Sequence, residues 1–215
     1  ADRLDKNGRA RIVQRSFVVT RQGVDELREK LQAEAPRRGL GRVKRVLVIA
    51  DGAGWIWNLV AQRFPEAVQR LDLFHAGQHL WAAAEALHGP GKEARQWVET
   101  LLAQLQAGRP QCVIKQLAEA LAGLKATAAT SVQKEIAYFK NHKHRMDYGQ
   151  ARERGEPCGS GAIESTCRQY QCRFKRTGQF WTKAGDEALL AVETFWRNDR
   201  WALLFPHSTL DPSRN

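Results

Sequence analysis

The most distinctive hydrophobic pattern in the chain is VKRVLVIADGAGWIW at residues 43–57. Its apolar run, from Val46 to Ile49, is short and rich in β-branched residues, which is typical of a strand covered on both faces. Asp51 follows this run, at the point where the strand leaves the sheet. Because ligands bind at the carboxyl ends of strands in open α/β sheets, the pattern indicates a functional carboxylate at Asp51.

A helix and a second strand are predicted next. Apolar residues recur at helical spacing over residues 55–64, and Pro65 ends that pattern. Residues 68–71 form a short strand pattern that again ends on an acid, Asp72. Strand, helix and strand in this order predict a parallel βαβ unit, which brings Asp51 and Asp72 to the same edge of the sheet.

The flanking segments favour one more strand and a long series of helices. Residues 10–20 have a strand pattern that ends in apolar residues, and residues 23–35 have the pattern of an amphipathic helix. Helical patterns then dominate from residue 76 to about residue 142, and they cover residues 80–87, 92–106, 111–124 and 132–142. With no strand pattern among them, we interpret residues 76–145 as an all-α insertion in an α/β domain.

An irregular, charged connection at residues 146–159 leads to a last helix of interest. Ser160 is a candidate N-cap, and the helical pattern runs from there to about residue 175. Helical spacing puts an apolar set on one stripe, which we expect to be buried: Ile163, Cys167, Tyr170 and Phe174. A neighbouring stripe is polar and suits either phosphate or plain solvent: Glu164, Arg168, Gln171 and Lys175.

The distribution of charge along the chain indicates the kind of partner that the protein binds. The net charge is +11, with +7 on residues 1–50, zero on residues 51–139, +6 on residues 140–183 and −2 on residues 184–215. Two basic blocks around a neutral middle favour an anionic partner, most naturally nucleic acid, although a merely basic protein has the same composition. No apolar run approaches the ~18 residues of a membrane span.

The four cysteines lack the spacing of a disulfide framework or of a CxxC pair. They are Cys112, Cys158, Cys167 and Cys172. We expect reduced thiols, and a zinc site is the alternative.

The acids at the strand ends suggest metal-assisted phosphoryl transfer. Mg²⁺ takes hard oxygen ligands and keeps several waters, so an active site supplies only a few carboxylates. Two such ions, ~3.5–4 Å apart, activate the attacking oxygen and stabilise the leaving oxygen of an in-line displacement. Asp51, Asp72 and Glu164 have the required chemistry and the expected placement, on two strand ends and one helix.

Two longer motifs carry a resemblance to a known family. They are DGAGWIWNLVAQRFPEAVQRLDLFHAGQHL, from Asp51, and GSGAIESTCRQYQCRFKRTGQFW, from Gly159. Together they resemble DDE transposases of bacterial insertion sequences, in particular the Kra-type group, over about residues 45–201. The resemblance implies an RNase H-like domain with an all-α insertion before the last catalytic acid, divided at residues 1–75, 76–145 and 146–215.

The same resemblance implies an activity and a setting. The activity is cleavage and strand transfer of double-stranded DNA, at transposon ends and target, with Mg²⁺ or Mn²⁺ as cofactor. Such an enzyme works in the bacterial cytoplasm at the nucleoid, and a homodimer is the assembly that the likeness suggests.

By motif, the resemblance makes Asp51 the second catalytic acid and Glu164 the third, and both metal ligands. Asp72 and His75 match an Asp/Cys-x-x-His pair near the site of related groups. The first acid of such a sheet belongs to an earlier strand, whereas Asp2 and Asp5 lie in a polar opening. We expect that strand and its aspartate to precede Ala1; the alternative makes Asp51 and Asp72 the first two acids.

The remaining candidates keep more than one interpretation. His75 could be a general base, a metal ligand together with His79, a hydrogen-bond partner of Asp72, or a packed histidine. Trp55 and Trp57 suit core packing better than base stacking, whereas Trp181 suits both. Clustered polar residues are the predicted DNA contacts, with Trp181 among them: Arg168, Gln171, Arg173, Lys175 and Arg176.

Two rival functions use the same residues. One is a truncated or domesticated remnant of a transposase that binds DNA without catalysis. The other is an RNase H-like nuclease unconnected with transposition, which would explain the acids but not the sequences of the two motifs.

Overall fold

The computed structural model describes residues 12–122 and 124–205, and this part of the chain is mostly helical. The elements in chain order are α1 (Val24–Arg37), β1 (Leu47–Ala50), α2 (Gly54–Arg63), β2 (Val68–Leu71), α3 (Leu73–His88), α4 (Lys92–Gln106), α5 (Pro110–Glu119), α6 (Ala126–His142), α7 (Tyr148–Glu153), α8 (Gly161–Phe174), α9 (Lys183–Arg197) and α10 (Trp201–Leu204). A 3₁₀ turn, Lys143–Arg145, separates α6 from α7.

The described residues fall into two compact units. The central unit comprises residues 45–122 and 124–161, and the terminal unit comprises residues 12–44 and 162–205. The predicted boundaries after residues 75 and 145 stay a prediction. Among the described helices, none is long and apolar enough to cross a membrane.

The sheet of the central unit has two parallel strands. β1 and β2 pair with Leu47 opposite Val68 and Ala50 opposite Leu71. The predicted βαβ unit is thereby confirmed, and Asp51 and Asp72 each follow the last residue of their strand at the same edge of the sheet. The chain is therefore α/β in the coarse sense of a small parallel sheet among many helices.

Helices α3 to α7 surround the core of the central unit. Residues of α3, α4, α5 and α6 are fully buried together, among them Leu80, Leu101, Leu117 and Phe139. Each such side chain contributes about 1.5–3 kcal/mol to stability through the apolar surface that it buries. The predicted helix 92–106 is confirmed to the residue, because its apolar positions recur at regular helical spacing.

Two predictions for the central unit need correction. α3 begins at Leu73, seven residues earlier than predicted, because the Asp72 side chain accepts a hydrogen bond from the His75 backbone N–H and caps the helix. The connection at residues 146–159 is not wholly irregular, since it contains α7.

The terminal unit contains α1 and α8 to α10. The predicted helix at residues 23–35 is confirmed as α1. The predicted strand at residues 10–20 is wrong over residues 12–20, which have no regular secondary structure. Instead of a neighbouring strand, the side-chain amide of Asn198 pairs with the backbone N–H and C=O of Phe17, at 2.6 and 2.9 Å. Residues 10 and 11, with Asp2 and Asp5, lie outside the described part.

The apolar stripe predicted for α8 is buried only at its carboxyl end. Tyr170 is buried and Phe174 is half-buried, and their rings stack with centroids 6.3 Å apart. Ile163 is 61% exposed and Cys167 is exposed, so the prediction is wrong for these two residues. Spacing alone defined the stripe, whereas burial also requires a packing partner, and Tyr170 has one in Thr194 on α9.

Candidate functional site

The turn after β1 presents Asp51 to solvent. The Asp51 side chain is exposed, and its Oδ1 accepts a hydrogen bond of 3.0 Å from the Ala53 backbone N–H. Gly52 adopts φ +100°, a conformation that favours glycine. A Cβ on Gly52 would lie 3.0 Å from Tyr138 Oη and 3.1 Å from Leu71 Cδ1, so any side chain would disturb the turn. The turn therefore needs glycine beside the acid.

Asp72, at the end of β2, is fully buried. Its Oδ1 accepts from the His75 N–H at 2.9 Å, and its Oδ2 accepts from both the backbone N–H and the hydroxyl of Ser160, the latter at 2.6 Å. Burial acts to raise the pKa of Asp72, but these hydrogen bonds outweigh it and hold the pKa below its ordinary value. Asp72 is therefore an anion that holds together the start of α3 and the residue before α8.

His75 lies in the first turn of α3, close to Asp72. A ring nitrogen of His75 and a carboxylate oxygen of Asp72 are within 4.8 Å of each other. The central unit thus offers a nitrogen and an oxygen donor that suit a metal ion, and that also suit a direct or water-mediated hydrogen bond. His79, one turn later, is engaged elsewhere, because its Nδ1 lies 2.5 Å from Glu135 Oε2.

The two strand-end acids differ in their freedom to bind a ligand. Three of roughly four acceptor positions of the Asp72 carboxylate are already used, whereas Asp51 accepts one described hydrogen bond at its side chain. Asp51 also sits in solvent, where a hydrated cation reaches it without displacing protein donors. Of the two, Asp51 is the better candidate for a metal ligand.

Behind the strand ends lies a buried cation that the sequence pattern did not reveal. Arg70, on β2, is fully buried, and it forms a two-pronged ion pair with Asp147 at 2.7 and 2.9 Å. It also donates to Glu156 at 2.7 Å and to the Pro157 carbonyl at 2.9 Å. Burial acts to lower the pKa of Arg70, but the two carboxylates raise it above the ordinary value. The network fixes β2 to residues 147–157.

A sequence signal for this network does exist, although it is weak. Arg70 lies in a short strand pattern next to the apolar Leu71, and an arginine in a strand is buried only if carboxylates pair with it. Its partners follow 77 and 86 residues later in the chain, in the segment predicted to be irregular. Nothing in the spacing of the sequence connects the two.

Glu164 lies in the first turn of α8, in the terminal unit, and is half-buried. The predicted DNA contacts on and after α8 are exposed, namely Arg168, Gln171, Arg173, Lys175 and Arg176. Two of them have partners within the unit, because Arg173 lies 3.8 Å from Glu193 and Arg176 Nε donates to the Cys172 carbonyl at 2.7 Å. The helix thus presents a basic surface to solvent.

The tryptophan residues have different surroundings. Trp57 is buried, as the core-packing interpretation requires, and the Arg145 guanidinium lies 4.4 Å from its ring centroid. Trp55 is 44% exposed, which corrects the packing interpretation for that residue. Trp181 is 43% exposed, and its Nε1 donates to the Phe174 carbonyl at 3.0 Å, which fixes the ring at the end of α8.

The cysteines are all free thiols. Within the described ranges they do not gather with histidine or carboxylate side chains into a metal-binding cluster. The thiols are thus not paired in disulfides, as expected, and the zinc alternative stays untested.

Comparisons with protein-family models, with curated proteins and with solved structures found no match for this chain.

Proposed function

We propose that this chain is the catalytic domain of a DDE-type transposase, which cleaves DNA and transfers strands with Mg²⁺ or Mn²⁺. The observation that carries the proposal is the parallel pairing of β1 and β2, which puts two acids at one sheet edge with Asp51 exposed to solvent. Such an edge is where α/β sheets bind ligands. The RNase H-like fold that belongs to this function is part of the proposal.

The donor set of the proposed site suits a hard divalent cation. Asp51 has an exposed carboxylate with free acceptor capacity. Glu164, in the terminal unit, is a further proposed metal ligand on the strength of the motif resemblance alone. A bound Mg²⁺ supplies charge stabilisation for an in-line displacement at a phosphodiester. In this proposal Asp72, with His75, holds the start of α3 in place beside the metal-binding acid.

The exposed cations on and after α8 support a DNA partner. Arg168, Arg173, Lys175 and Arg176 follow the Glu164 turn within 12 residues of the chain. Clustered Lys and Arg neutralise backbone phosphates and release counterions, so DNA affinity should fall steeply as salt rises. Trp181, exposed at the end of this segment, is the proposed stacking residue.

One observation favours the alternative, a DNA-binding remnant without catalysis. Asp72 is fully buried, and hydrogen bonds occupy most of its acceptor positions. Of the two strand-end acids, Asp51 alone therefore faces solvent. A remnant would keep the basic helix and lose the metal-dependent step.

Metal-dependent cleavage of labelled duplex DNA separates the two functions. The full chain should nick or join DNA ends with Mg²⁺ or Mn²⁺ and not with chelator, and Asp51→Ala or Glu164→Ala should lower the rate by at least about 100-fold. DNA binding by both variants, measured by fluorescence anisotropy over a salt series, should stay near that of the wild type. Unchanged cleavage in both variants would overturn the mechanism, and salt-dependent binding without any cleavage would favour the remnant.

A further inference from the structure

Two tyrosine hydroxyls hold the carboxyl ends of the two strands. Tyr138, on α6, donates to the Asp51 backbone carbonyl at 3.1 Å. Tyr148, on α7, donates to the Leu71 carbonyl at 3.0 Å, one residue before Asp72. Each strand end therefore has its own helix-borne donor, but only Tyr138 contacts the exposed acid's own residue.

Tyr138 is in turn held by a second layer of side chains. Its ring stacks on the His79 imidazole with centroids 3.5 Å apart and an angle of 19° between the planes. His79 Nδ1 lies 2.5 Å from the carboxylate of Glu135, which is buried. Glu135 and Tyr138 come from the same helix, α6, whereas His79 comes from α3. The three side chains thus join both helices to the turn at Asp51.

We propose that Glu135, His79 and Tyr138 form a positioning relay that fixes the Asp51–Gly52 turn, and so sets the orientation of the Asp51 carboxylate. This inference rests on the proposed function in one respect, namely that Asp51 is a metal ligand. The motif resemblance gives no role to Glu135 or Tyr138, and it gives His79 only a possible role as a metal ligand together with His75.

The close fit around Gly52 supports the relay. The position of a Cβ on Gly52 is 3.0 Å from Tyr138 Oη and 3.1 Å from Tyr138 Cε2, so the ring lies directly against the turn. Burial, and then the nearby carboxylates Asp51, Asp72 and Glu135, raise the pKa of Tyr138 above its ordinary value. The Tyr138 hydroxyl is thereby held where it donates to the Asp51 backbone carbonyl.

Tyr138→Phe tests the relay with little change in packing, because the ring and its stack on His79 remain. The Ala53 backbone N–H donates a hydrogen bond to Asp51 Oδ1. We expect hydrogen exchange at this N–H to become about fivefold faster, since one hydrogen bond no longer holds the turn. We expect Mn²⁺ binding, measured by calorimetry, to weaken by a similar factor. Glu135→Gln, which weakens the hold on His79, should change both quantities in the same direction.

Tyr148→Phe is the matched control. It removes the same group from the same kind of bond at the other strand end, and from a more buried position. It should lower the melting temperature while leaving Ala53 exchange and Mn²⁺ affinity at the wild-type values. If both tyrosine variants change Ala53 exchange equally, Tyr138 acts only through general stability and the proposal is overturned.

The two measurements separate this inference from the proposed function. Amide exchange reports on the turn without any metal, so wild-type Ala53 exchange in Tyr138→Phe would overturn the relay whatever the metal does. Absence of Mn²⁺ binding by the wild-type chain would instead count against the proposed function, while faster Ala53 exchange in Tyr138→Phe would still support the relay.

Discussion

At the scale of single residues, the two strand-end acids differ in exposure, and we infer a different role for each. Asp72 is buried beneath three donors and acts as a local anchor, whereas Asp51 is in solvent and retains acceptor capacity. Replacing one or the other carboxylate should therefore affect different properties of the protein, although each follows a strand of four residues. Stability should depend on Asp72 and ligand binding on Asp51.

Asp72→Asn should lower the free energy of unfolding by about 2–4 kcal/mol. An asparagine places its NH₂ group against a donor, either the His75 N–H or those of Ser160, and it removes the buried charge that they stabilise. Asp51→Asn is the matched control, with an expected change of at most about 0.5 kcal/mol, because its amide oxygen can still accept from Ala53. Urea denaturation measures both, and equal losses would contradict the distinction.

His142 should make the stability depend on pH. Burial, followed by the charges of Arg145, His144 and His79, lowers its pKa from 6.5 to about 4. Between these two values the unfolded chain binds a proton that the folded chain does not, so stability is full above about pH 6.5 and falls as the pH drops toward 4. In His142→Gln, thermal denaturation should show a weaker pH dependence in this window.

A pH dependence in His142→Gln equal to that of the wild type would contradict this prediction, because the burial of His142 would then contribute nothing to it.

At the scale of elements, the ion network of Arg70 connects β2 to the segment that leads into α8. Arg70 is fully buried, while the side chains of Asp147 and Glu156 are 27% and 16% exposed. Arg154 adds a second cation to the same carboxylates from a more exposed position. The network therefore holds β2 against residues 147–157 in addition to its pairing with β1.

Arg70→Met should destabilise the protein by about 3–5 kcal/mol, because it leaves two carboxylates without their buried cation. Arg154→Met removes a cation that is 35% exposed from the same carboxylates, and it should cost much less stability because solvent screens an exposed ion pair. Chemical denaturation of the two variants in low and high salt tests the contrast. A loss below about 1 kcal/mol in Arg70→Met would show that the network contributes little.

Local periodicity was sufficient for the elements whose partners are close in sequence. β2, α4 and the parallel βαβ order followed from apolar spacing and from the breaks at Pro65 and Gly91. Residues 12–20 have a strand pattern as well, but a strand requires a partner, and Asn198 occupies that role from a distant helix end. The early start of α3 depended on a capping bond of Asp72, which spacing does not disclose.

The candidate site was predictable to a similar depth. Asp51 and Asp72 were placed correctly, because the end of a parallel strand is a local property of the sequence. The burial of Asp72 and the relay through Tyr138 were not predictable, since both depend on residues more than 50 positions away in the chain. The role of Glu164 as a metal ligand stays a prediction.

At the scale of the whole molecule, the chain has an exposed acid at a sheet edge in its central unit and a basic helix surface in its terminal unit. The net charge of +11 is concentrated in the two blocks that flank the neutral helices, and residues 140–183 include the cations of α8. A DNA partner and a divalent cation are both required by the proposed chemistry. The cation is the more specific requirement, because many basic proteins bind DNA.

The proposed function depends above all on the binding of a divalent cation by Asp51 at the end of β1. Its most direct test is a calorimetric Mn²⁺ titration of the full chain, of Asp51→Asn and, as a control, of Asp25→Asn, which alters an acid whose side chain is 87% exposed in the first turn of α1. We predict saturable Mn²⁺ binding by the wild type and by Asp25→Asn, and affinity weakened at least about tenfold in Asp51→Asn. Equal Mn²⁺ binding by all three proteins would show that Asp51 does not bind the cation.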